Sequence, residues 1–191
     1  MILPVVFAAI NRSLLTGVSF AMCFIAMTTG YTFSIVEKNA MERLYGILPV
    51  RKSDLVVGRY IFIIIMGLTA LIFSLIVHPV ILTFLGVPIS AAEFAGAATI
   101  GIFLFALYTV FQLPGYYKLG SIKGRVFMYI PVAGFLATLL LIAKIPAGEG
   151  RLLSAVIHSP VLLMLSAVIF VAAMYAISIL VSIKILKNKE M

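Results

Sequence analysis

Charged residues are scarce in this chain. Asp, Glu, Lys and Arg make up 10% of its 191 residues against 64% hydrophobic, and the mean hydropathy is +1.25. A soluble domain carries about 25% charge. Too few polar side chains exist to cover a water-facing surface, so lipid is the solvent for much of it. Acidic residues are scarcer still, six against fourteen Lys and Arg, for a net charge of +8. A basic balance can mark nucleic-acid binding. Here the basic residues fall in short clusters between apolar runs, which is the pattern of membrane topology, so no nucleic-acid partner is expected. The single cysteine, Cys23, lies inside an apolar run. It excludes an internal disulfide, has no metal partner at matching spacing, and reads as a small buried hydrophobe. Period-two alternation is absent, which argues against a β-barrel. There is no HExxH, no nucleophile triad and no carboxylate pair, so neither catalytic nor metal-binding residues are expected.

What is present is a set of five apolar runs, at 14–36, 60–86, 94–114, 126–146 and 157–183. Each reaches the roughly 20 residues that a helix needs to cross a bilayer. The opening residues 1–10 are apolar but too short to cross and lack the basic head of a signal peptide. They read as part of a sixth span or as a re-entrant segment, followed by a polar break at Asn11, Arg12 and Ser13. The expected fold is an all-α, polytopic transmembrane bundle with five complete spans and a partial N-terminal one, forming a single membrane domain over residues 1–191.

Orientation follows from Lys and Arg. One set of connections holds Lys38, Arg43, Arg51, Lys52, Arg59, Lys118, Lys123, Arg125, Lys184, Lys187 and Lys189, and the other holds Arg12, Lys144 and Arg151. Eleven against three places the first set in the cytoplasm. The run at 14–36 then points inward and the C-terminus lies inside, with a sixth span bringing the N-terminus inside as well.

The span centres lack Asp, Glu, Lys and Arg, which argues against an ion-coupled transporter or channel. His78 is the one candidate. It lies about 27 Å along its helix from Tyr60, near the outer interface, and Pro79 follows it, so a kink with a locally satisfied histidine is expected. His158, Glu93 and Glu149 also fall on the outer side. Small residues at Ala92 and Gly96, and at Ala97 and Gly101, allow close helix packing within or between subunits.

The first cytoplasmic connection, EKNAMERLYGILPVRKSDLVVGRY at 37–60, is the most informative segment. Met41, Leu44, Tyr45 and Leu48 recur at helical spacing on one face, with Lys38, Asn39, Glu42 and Arg43 on the other. Pro49 stops that helix. Ser53 reads as the N-cap of a new one, with Asp54 favoured in its first turn by the helix dipole. Arg59 and Tyr60 read as interface markers, the first snorkelling and the second anchoring. Such a loop suits a helix resting on anionic headgroups. It equally suits a docking helix that presents its Met/Leu/Tyr face to a cytoplasmic partner. The second connection, QLPGYYKLGSIKGR at 112–125, reads as a basic, turn-rich loop from Gly115, Gly120 and Gly124. Gly115 and Gly120 have phosphate-loop spacing, but the Lys-Ser/Thr that must follow is missing.

A helical bundle without its own energy-coupling chemistry, carrying a loop shaped to dock something, suits a transporter subunit driven by a separate ATPase. A membrane scaffold or lipid-binding protein is the alternative. At this point the chain resembles the permeases of ABC-2-type transporters. The residues that carry the resemblance are Glu42-Arg43, Leu48-Pro49-Val50-Arg51-Lys52 and Gly58-Arg59-Tyr60 in the first loop, and LPGYYKLGSIKGR in the second. It extends from about residue 14 to the C-terminus.

The resemblance implies six spans per subunit, two permease subunits per transporter (identical or not), membrane lipids around them, and a partner ABC ATPase that binds the ATP. The permease then holds no cofactor of its own. The first loop, at 37–59, is implied to be the coupling loop that enters a cleft of the ATPase, through Glu42, Arg43, Leu44, Tyr45, Leu48, Pro49, Arg51 and Lys52. Members of the family export amphipathic peptides and peptide antibiotics, which implies a cargo of that kind and a bacterial plasma membrane.

Overall fold

The computed structural model describes residues 2–47, 49–131, 133 and 160–188. Every regular element among them is helical: α1 (Ile2–Asn11), α2 (Leu14–Thr28), α3 (Gly30–Lys38), α4 (Met41–Ile47), α5 (Lys52–Phe84), α6 (Ala91–Lys123), a 3₁₀ segment (Gly124–Met128) and α7 (Pro160–Asn188). Four stretches are long and apolar enough to cross a membrane, namely Leu14–Lys38, Lys52–Phe84, Glu93–Pro131 and Val168–Asn188. They correspond to the first, second, third and fifth apolar runs. The fourth run, 126–146, falls almost wholly outside the described residues beyond 131, as do Glu149 and His158.

The short opening segment is a helix. At 1.5 Å per residue, α1 is about 15 Å long, half of a ~30 Å hydrocarbon core. It packs against α2 and α5. Arg12 turns the chain with a left-handed φ of 49°, and Ser13 caps α2 by accepting from the Thr16 N–H.

The first span is two helices that meet at Thr29. The hydroxyls of Thr28 and Thr29 donate to the Ile25 and Ala26 carbonyls at 2.7 Å each. Such back-bonding competes with the helix ladder and bends it. Gly30 follows, and its missing side chain makes room for the Tyr116 ring and hydroxyl from α6.

α5 buries Val56, Tyr60, Ile63, Gly67, Leu71, Ser74, His78 and Leu82, a stripe at steps of three or four. Its opposite face carries Ile61, Ile65, Leu68, Ile72 and Ile76, all exposed. A helix on a soluble protein is polar there; here lipid takes the place of water. Phe105 of α6 lies against Gly67, and Gly101 of α6 accommodates Val18 and Met22 of α2 together with Leu71. Of the two small-residue pairs, Ala97 and Gly101 therefore form a seam inside the chain, whereas Gly96 faces open space.

The expected loop at 112–125 is mostly helix. α6 runs through Pro114 and breaks only at Gly120, whose φ of 79° and ψ of −178° suit glycine alone. Pro114 has no N–H for the carbonyl four residues back, at Val110. The Ser178 hydroxyl of α7 donates to that carbonyl instead, at 2.8 Å. This is the kind of replacement bond that lets proline persist in a membrane helix. After Gly120 the chain folds back, with Phe127 against Gly115 and Gly124 against Tyr116.

A buried polar seam joins α5, α6 and α7. The Tyr60 hydroxyl lies 2.6 Å from Ser178 Oγ and 2.8 Å from Ser182 Oγ, and Thr109 pairs with Tyr175 at 2.7 Å. Tyr60 is therefore a core hydrogen-bonding residue, not the interface anchor that its place beside Arg59 suggests. His78 is 2% exposed. Its Nδ1 lies 2.8 Å from both Oγ and O of Ser74, and its Nε2 is buried without a partner, so only one ring nitrogen is satisfied locally.

Candidate functional site

The segment expected to dock is assembled from three short signals. α3 ends at Lys38, and Ala40 turns the chain with a φ of 49° before α4 begins at Met41. Lys38 and Asn39 therefore precede the docking helix and do not share it, because the turn at Asn39 and Ala40 separates them. α4 stops at Ile47, and Pro49 to Arg51 run without helix to α5, as a proline two residues past the last turn dictates. The restart falls two residues before its expected place. Arg51 holds the extended N-cap conformation without a side-chain cap, and its carbonyl accepts from Asp54 and Leu55 at 2.9 and 3.3 Å. Ser53 is consequently inside the first turn, together with Asp54.

The residues expected to dock divide by direction. Leu44, Pro49 and Arg51 are exposed, Lys52 is half-buried, and Ile47 is 83% exposed. Tyr45 turns the other way, half-buried, with its hydroxyl donating to the Met41 sulfur at 4.0 Å. Glu42 and Arg43 lie on α4 by backbone, and Leu48 falls outside the described residues. Of the apolar face predicted for this helix, Leu44 points outward, beside Ile47, which the prediction did not include, and Tyr45 turns inward.

Tyr45 faces a cavity of about 420 Å³ at the end of the bundle that carries Lys38, Lys52, Lys118 and Lys187. α3, α4, α5, α6 and α7 all contribute to its lining. On one wall the Arg59 guanidinium lies over the Phe33 ring at 4.3 Å and near the Tyr117 ring at 5.8 Å. Phe33 in turn meets Tyr117 edge-on at 5.2 Å and Tyr116 at 4.9 Å. Arg59 is thus turned inward across aromatic faces, where cation–π attraction holds it, and does not snorkel.

Two carboxylates complete the lining, Glu37 from the end of α3 and Asp54 from the start of α5. Glu37 reaches across to the break in α6: its Oε2 accepts from the Ser121 N–H at 2.8 Å. A Cβ at Gly120 would lie in ordinary contact with the same carboxylate, so it is the positive φ and not space that calls for glycine there. The two connections expected on the cytoplasmic side are in this way tied to each other. A second recess of about 240 Å³ lies on the far side of Tyr116, lined also by Met27, Gly30, Tyr31 and Arg125.

Sequence reasoning placed Leu44 and Tyr45 on the helix between the first two spans, and placed Pro49 at its end. It missed the cavity. Phe33 and Glu37 stand four apart on α3, but Arg59 and Tyr117 come from two other helices, and no local spacing links the three. The one available signal was Glu37, an acidic residue at the end of a span in a chain with six acids.

A family model described as an ABC-2 family transporter protein matches residues 1–187. No curated protein and no solved structure matches the chain.

Proposed function

Since the chain belongs to the ABC-2 family of transporter proteins, we propose that it is the membrane-spanning permease subunit of an ATP-driven exporter. It works with a separate ABC ATPase that binds and hydrolyses the ATP, and with a second permease subunit. The cargo is an amphipathic peptide or a similarly hydrophobic compound, and the membrane is a bacterial plasma membrane with α4 on its cytoplasmic side.

The observation that carries this reading is α4 itself. A seven-residue helix between two spans exposes Leu44 and Ile47, which no solvated helix gains from exposing, while Tyr45 stays engaged with the bundle. An apolar pair on a short helix suits insertion into a partner's groove. Pro49, Arg51 and Lys52 follow at the same end, and Glu42 and Arg43 lie on the same helix, so all the docking residues belong to one compact segment. Closure of the ATPase around ATP would push on α4, and α4 would pass the displacement to the bundle through Tyr45 and through α3, which it also contacts.

Capture of the ATPase by the tagged permease tests it. Leu44→Asp is expected to abolish capture while leaving the permease folded, because the side chain is already exposed. Tyr45→Phe is expected to preserve capture, since the ring remains. Full ATPase binding and cargo-stimulated ATP hydrolysis with Leu44→Asp would overturn the assignment of α4.

A further inference from the structure

The cavity beside α4 has a charge sign opposite to that of the chain. The whole chain carries +8, with six acidic residues. Two of those six, Glu37 and Asp54, line this one recess, against the single guanidinium of Arg59. Arg59 is laid over Phe33 and Tyr117, so the aromatic wall already holds one delocalised cation by its ring faces. Carboxylates and aromatic faces lining one recess are a pairing that recognises positive charge attached to an apolar body. The volume, about 420 Å³, is that of a small-molecule site. Gly58 lines it too, and a side chain added there would meet nothing within 4 Å, so this part of the wall is open and unfilled.

We propose that this cavity is an entry site for lipophilic cations: it receives the positively charged end of an amphiphilic cargo between Glu37, Asp54 and the aromatic wall. The proposal rests on the permease reading for its transport meaning, and narrows the amphipathic cargo of that reading to one with a positively charged end. Tyr45 gives the site its mechanical sense. The same cavity that takes the cation is lined by the inward residue of the docking helix, so occupation and the position of α4 are coupled through one side chain.

Tetraphenylphosphonium and tetraphenylborate, alike in shape and opposite in charge, test the site directly. Each is titrated against the full chain in phosphatidylcholine nanodiscs, with empty nanodiscs subtracted to remove partition into lipid. Saturable binding of the phosphonium alone is expected. Asp54→Asn should weaken it about fivefold, as loss of one partly solvated carboxylate does. Gly58→Leu should weaken it about tenfold or more by filling the recess. Glu37→Gln reports the second carboxylate, but it also alters the bond to Ser121, so Asp54 and Gly58 decide the outcome. Saturable binding of the borate at similar affinity, no saturable binding of the phosphonium, or unchanged affinity in both variants would overturn the proposal. ATPase capture by the same preparations separates the two readings. Intact capture without cation discrimination removes the cavity proposal alone, and cation binding without capture removes the permease reading alone.

Discussion

Single residues in this chain act by supplying or removing one backbone group. Pro114 withholds an N–H, and Ser178 supplies a hydroxyl to the carbonyl left behind at Val110. The two are therefore expected to be coupled. Ser178→Ala alone should cost about 1 kcal/mol, the range for a membrane hydrogen bond, because Val110 O loses its donor and Tyr60 loses one of two partners. In a Pro114→Ala background the new N–H restores the ladder bond, so the same substitution should cost less. Thermal unfolding of the four proteins of this cycle measures the difference, and strict additivity would count against the substitution of one donor for the other. Gly120 illustrates the opposite case. Its backbone conformation excludes a side chain, and Gly120→Ala is expected to destabilise by about 1–3 kcal/mol, read as a lowered midpoint in detergent. The sequence named Gly120 as a turn residue correctly, but in company with Gly115 and Gly124, which serve close packing instead. Spacing alone does not tell a glycine required by φ from one required by a neighbour's ring.

At the scale of elements, hydropathy located the four crossing helices that are described, and proline located the end of α4. Both signals act along the chain and need no knowledge of neighbours. Two misreadings share another cause. Pro114 and three glycines suggested a loop at 112–125, yet the tertiary bond from Ser178 and the packing of Tyr116 on Gly30 and Gly124 keep α6 helical to the break. Tyr60 and Arg59 suggested a water boundary, yet hydroxyls on α7 and rings on α3 and α6 drew both into the bundle. In each case at least one partner more than fifty residues away overrides a local rule. The turn before α4 also has a local consequence. Ala40 sits at a φ of 49°, a conformation that glycine adopts without the Cβ penalty. Ala40→Gly is expected to leave stability unchanged or raise it slightly and to keep ATPase capture, whereas Ala40→Val should lower both. A β-branched residue is strongly disfavoured in that conformation.

For the whole molecule, the decisive pattern is that apolar residues face outward while hydroxyls and a histidine are buried. α5, α6 and α7 are held together by Tyr60, Ser178, Ser182, Thr109 and Tyr175, as expected where lipid gives helices no hydrophobic reason to associate. The distribution of Lys and Arg supports an orientation with α4 inside. Single cysteines placed at Lys38, Lys52 and Glu93 in a Cys23→Ala background test it. Membrane-impermeant maleimide added to intact cells should label position 93 alone. Labelling of 38 and 52 from outside would invert the molecule and remove α4 from any cytoplasmic ATPase.

Tyr116 stands between the two recesses, its ring bordering both, with Gly30 on one side and Gly124 on the other. It behaves as a party wall. Shortening it to alanine would knock two rooms into one and join the acidic chamber to the side where Met27 and Tyr31 meet lipid. Tetraphenylphosphonium binding by that variant should then weaken, because the acidic chamber loses one of its aromatic borders.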